Sequence, residues 1–144
     1  MSPDPWSQTS DRLTAKLASL EHDDTVVLTE VAEAAARPTR GLFRRSRPTP
    51  VRYVQFRREG ELITGECVGA ASWGGYYDID EATDRQLRAL GWKAPDEVPD
   101  ALRDSPNYRV DAPREEAPTL ARMAVGAFEA LGLAADAELD WQDW

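Results

Sequence analysis

Apolar and polar positions change period several times along the chain, and each change marks an element. Leu13, Leu17 and Leu20 recur at helical spacing and predict a first helix over about residues 8–20. Residues 1–9, with Pro3 and Pro5, read as a lead-in to it. A β-branched run over 25–31 predicts a first strand. Residues 51–58 and 61–70 then alternate with period two, which predicts a hairpin closed by Glu59-Gly60. That loop sets Phe56 opposite Ile63, Val54 opposite Gly65 and Arg52 opposite Cys67, and on the other face Tyr53 opposite Glu66 and Gln55 opposite Thr64. One face is mainly apolar and the other mixed, the pattern of a sheet covered on one side.

After the hairpin the period returns to that of a helix. Asp80 is placed to cap it, Glu81 and Asp84 put negative charge in its first turn, and Leu87 and Leu90 form its apolar stripe. Gly91 suits the left-handed position that ends a helix, Trp92 can fold back on Leu87, and Pro95 forbids continuation. The same stop recurs in Ala130-Leu131-Gly132-Leu133, where Leu133 is set to meet Phe128. Between the two stops lie a Pro- and Asp-rich connection over 93–106 and a short strand over 107–110. A third helix follows, in which Leu120, Met123, Ala124, Ala127, Phe128 and Leu131 share a face. The chain ends in a tail holding Leu139, Trp141 and Trp144. The predicted fold is α+β, an antiparallel sheet with packed helices in the order α-β-β-β-α-β-α, forming a single domain over 10–141 with a tail at 142–144.

At 144 residues the chain can bury a core without staples. A lone Cys67 rules out an internal disulfide and suits a reducing cytoplasm, where the protein is expected to reside. No stretch approaches a membrane span and no signal-peptide pattern opens the chain. Charge is unevenly placed. Residues 1–70 hold ten acids and ten bases, and residues 71–144 hold sixteen acids and seven bases, which accounts for the whole net charge of −9. Such a chain repels nucleic acid and anionic membrane, so neither is an expected partner.

Catalytic and metal constellations fail when tested. A Cys67–His22 pair would need a thiol that sits mid-strand on the core face and a histidine set among Glu21, Asp23 and Asp24. Asp78, Asp80, Glu81 and Asp84 lack the glycine and distal glutamate of a calcium loop, and helix capping accounts for them. Gly74-Gly75 has neither a Walker lysine nor a dinucleotide fingerprint beside it. No cofactor and no metal are expected.

Two features have both a structural and a binding reading. Trp73, Tyr76 and Tyr77 surround a diglycine; Trp73 and Tyr76 read as a cover over the end of the core, or the loop reads as a binding hot spot of the kind aromatics anchor. Arg37, Arg40, Arg44, Arg45 and Arg47 fall within an insertion over 33–50 that carries no acid between them. It reads as a solvated loop between strands, or as a basic tip (Arg44 and Arg45 foremost) for an acidic partner or the acidic half of a second copy. With Trp141 and Trp144 of the tail, these are the candidate protein-binding residues.

The set Tyr53-Val54-Gln55-Phe56, Leu90-Gly91-Trp92 with Pro95, and Asn107-Tyr108 ahead of a C-terminal helix resembles the TY-Chap domain. That family is common in actinobacterial proteins and is grouped with type III secretion chaperones and YbjN-type proteins. The resemblance covers roughly residues 11–141. It implies a type III secretion chaperone-like fold, no catalysis, and binding of a segment of a client protein, with a homodimer as one form of assembly. The competing expectation is a small regulatory ligand-binding domain or an enzyme, which a deep pocket with converging polar groups would favour.

Overall fold

The computed structural model describes residues 4–31, 52–68, 79–97 and 107–143. Three helices lie on one face of a five-stranded antiparallel sheet. The order along the chain is α1 (Pro5–Ala18), β1 (Thr25–Glu30), β2 (Tyr53–Glu59), β3 (Leu62–Cys67), α2 (Glu81–Leu90), β4 (Tyr108–Pro113), α3 (Ala117–Ala130) and β5 (Leu139–Asp143). The strands run β4-β3-β2-β1-β5 across the sheet. The fold is α+β as the sequence predicts, with one strand more.

That strand is β5, which the sequence reading left as a tail. It pairs with β1 from Val26↔Asp143 to Glu30↔Leu139. α1 also begins earlier than expected, at Pro5, whose fixed φ and missing N–H suit a first helical turn. Trp6, taken with the lead-in, is buried and stacks on Phe128 at 6.1 Å. β4 runs on past Val110 to Pro113.

The hairpin register is corrected by two residues. Phe56 stands opposite Gly65, Val54 opposite Cys67 and Gln55 opposite Glu66, and the loop is Gly60-Glu61 with Gly60 at φ 63. Glycine at the first loop position is what a II′ turn asks for. A slip of two preserves the pleat, so every side chain stays on its expected face. Val54, Phe56, Ile63 and Cys67 are fully buried under the helices.

Both helix stops form as expected. The Asp80 carboxylate accepts the Thr83 N–H at 2.8 Å. Gly91 takes φ 111, and the N–H groups of Gly91 and Trp92 donate to the carbonyls of Arg88 and Leu87. At the end of α3, Gly132 and Leu133 donate to Glu129 and Phe128 in the same way. Trp92 is thereby driven inward, 1% exposed, against Phe56, and its indole N–H donates to the Met123 carbonyl of α3 at 3.1 Å.

Candidate functional site

Among the described residues, those weighed for chemistry do not converge. Cys67 is fully buried at the end of β3, while His22 lies at the far end of the hairpin, where its Nδ1 accepts the Gly60 N–H at 3.0 Å. Burial, and then the Glu66 carboxylate, push the Cys67 thiol far above its ordinary pKa. We therefore expect Cys67 to resist a thiol reagent in the native protein and to label rapidly only on unfolding; rapid stoichiometric labelling of folded protein would contradict this placement. Asp84 accepts the Tyr108 hydroxyl at 2.5 Å and pairs with Arg88 at 2.9 Å. Arg88 reaches on to Asp96 and Glu97, so these acids tie α2 to β4 and to the turn after it. Among the described residues no three His, Cys, Asp or Glu side chains gather as a metal set.

Of the candidate binding residues, Arg44, Arg45, Trp73, Tyr76, Tyr77 and Trp144 lie outside the described residues, as do Asp78 and the diglycine. Trp141 is placed, on the helix-side face of β5 opposite Leu28. Arg12 of α1 lies over its ring at 4.0 Å, a cation–π contact worth about 0.5–1 kcal/mol where solvent reaches it. One helical turn later Lys16 forms an ion pair with Asp143. A shallow groove of about 310 Å³ continues beside this pair, lined by Lys16, Ser19, Leu20, Asp24 and Asp143.

The face of the sheet away from the helices carries a polar network at its β2–β4 end. Asn107 donates to the Tyr53 hydroxyl at 2.7 Å and to Glu66 at 3.3 Å, and Asp111 accepts from Thr64 at 2.7 Å and from Arg109 at 3.0 Å. Burial, opposed in part by the Asn107 hydrogen bond, raises the Tyr53 pKa. These groups satisfy one another, and none is poised as an acid–base pair.

The two edges of the sheet differ in a way that matters more. On β4 the main-chain groups of Arg109, Asp111 and Pro113 point outward, because Arg109 exchanges both its bonds with Lys93 while the alternate residues serve β3. Lys93 thus closes one position, Pro113 has no N–H, and Asp111 brings a charge. Each device discourages strand addition. Within the predicted strand over 107–110, the outward main-chain groups of Arg109 are thus already paired.

On β5 the opposite holds. The Val31 N–H donates to the Glu138 carbonyl, which fixes the alternation: 138, 140 and 142 bond to β1, and Leu139, Trp141 and Asp143 turn their main chain outward. No described backbone group pairs with them, and no proline interrupts the strand. The sequence reading missed this strand, although Leu139-Asp140-Trp141-Gln142 alternates with the right period.

Nothing among curated proteins and nothing among solved structures matches the chain. One family description does, TY-Chap3, "T3SS (YopN, CesT) and YbjN peptide-binding chaperone 3", over residues 2–144. That match takes in nearly the whole chain, and the protein belongs to this family of peptide-binding chaperones.

Proposed function

We propose that this chaperone module holds an extended segment of a client protein by main-chain pairing on the β5 side of its sheet, and that it performs no catalysis. The observation that carries the reading is the contrast between edges: β4 is closed by Lys93 and Pro113, while Leu139, Trp141 and Asp143 present a regular row of donors and acceptors. Strand addition gives affinity through such groups and specificity through alternate side chains. Helix α1 flanks that side, where Arg12 and Lys16 meet Trp141 and Asp143.

The partner is a protein or peptide. A net charge of −9 supports a module that stays off nucleic acid and membranes in the cytoplasm, and it favours clients that are neutral or basic over most of their length. A second copy is the other occupant that an open edge admits, which would give a homodimer paired β5 to β5, but the seam would then gather Asp140 and Asp143 of both copies.

The test uses peptides selected from a displayed random library on the intact protein, then synthesised and titrated into the isotope-labelled chain. Amide shifts should concentrate on β1, β5 and α1. A map centred on Arg109–Pro113 of β4, or on the Tyr53–Glu66 network, would overturn the reading.

A further inference from the structure

We propose that β5 is a removable occupant of this peptide track, and that a client segment of the pattern apolar-x-aromatic-x-acid takes its place on β1. The inference rests on the reading that clients pair on this side of the sheet, but it moves the pairing from the outer edge of β5 to the edge of β1 that β5 covers, and it names what the client must look like. β5 itself supplies the pattern. Leu139 and Trp141 are half-buried, Asp143 follows two residues later, and Arg12 and Lys16, one turn apart on α1, receive the ring and the carboxylate. A client with the same three groups meets the same two cations. The net charge of −9 adds a second condition, that residues outside this acid be neutral or basic.

Three observations make β5 removable. It buries none of its residues, whereas Val26 and Leu28 beneath it are fully buried. Beyond the β1 ladder it is held by Leu139 and Trp141, only half-buried against the core, and by two contacts near solvent, with the Lys16 and Asp143 side chains 40% and 55% exposed. And β1 does not depend on it. The Glu30 N–H donates to Arg52 of β2 while the Val31 N–H donates to Glu138, so alternate amides of β1 serve opposite neighbours. When β5 leaves, β1 keeps its whole ladder to β2.

β5 competes from a short tether after Gly132, at an effective concentration on the order of millimolar. A client therefore binds with an affinity reduced by the fraction of time that the track stands open. Segments matching only the ladder lose this competition, and those also matching Arg12 and Lys16 win it.

The experiment needs the full chain and two readouts. In native-state hydrogen exchange the Val27, Thr29 and Val31 amides should open together with Asp140 and Gln142, well before Val26, Leu28 and Glu30. The second readout uses a synthetic peptide of residues 138–144 and the variant Thr29→Cys/Asp140→Cys. These positions face each other across the ladder at a Cα separation of about 5.5 Å, within the range a disulfide spans. Cys67 is buried and does not compete. The reduced variant should bind the peptide at millimolar concentration. Oxidation should weaken binding at least tenfold, and so should a peptide with alanine at the positions of Trp141 and Asp143. Uniform protection along β1, or failure of the reduced variant to bind, overturns the proposal. So does equal binding by the oxidised variant, although selected peptides that still map to the β5 side would then leave strand addition itself standing. Selected peptides that map elsewhere would remove both.

Discussion

Trp92→Ala is expected to destabilise the protein by about 3–5 kcal/mol, the range for a large aromatic truncated in a core. Trp92 joins three elements. It follows the stop of α2, lies 6.5 Å from the Phe56 ring of β2, and gives its indole N–H to the Met123 carbonyl of α3. Truncation leaves a cavity between helices and sheet and removes the only donor of that side chain. Trp92→Phe separates the two contributions, since it keeps much of the volume and loses the hydrogen bond, so its cost should be clearly smaller. Urea unfolding of the three proteins measures both. A cost below about 1 kcal/mol for the alanine variant would mean that Trp92 is not a keystone of the core.

Gly65→Ala is the second large effect, and its sign is less obvious. Adding a methyl group to a glycine in a strand ordinarily helps, because it lowers the entropy of the unfolded chain. Here a Cβ would fall 2.7 Å from Cε1 of Phe56 and 3.0 Å from Val110, and Phe56 is fully buried with no room to retreat. Overpacking of this kind costs about 1–3 kcal/mol. The penalty should shrink in a Phe56→Leu background, which opens the space above Gly65, and a double-mutant cycle reads that coupling directly. Equal penalties in the two backgrounds would show that the ring is not the obstacle.

What the sequence made legible follows from how local each signal is. Asp80, Gly91 and Trp92 define a cap and a stop within one helix, and the Ala130–Leu133 repeat does the same for α3, so both could be read from spacing alone. The faces of the hairpin were legible because a period of two survives any even slip. Its register was not: Gly60 accepts a positive φ at either loop position, and the choice is made by contacts from elsewhere. The His22 ring takes the Gly60 N–H, and Arg58 and Asp24 bond across to fix the turn. Trp6 was hidden by the prolines around it, which read as a lead-in until one of them opens the helix. β5 was hidden by its acids and by the glycine before it. Whether a short alternating stretch becomes a strand depends on an available edge, here that of β1, and no local pattern records that. The difference between the β4 and β5 edges among the described residues emerged only from the hydrogen-bond alternation.

The most direct measurement is a set of isotope-filtered NOEs on the intact protein bound to a peptide selected from the displayed library. Client pairing on the β5 side requires backbone-to-backbone contacts between an extended peptide and β1 or β5, with side-chain contacts to α1 around Arg12 and Lys16. A bound peptide whose backbone contacts run along β4, or one that makes no regular main-chain contacts with any strand, would contradict it.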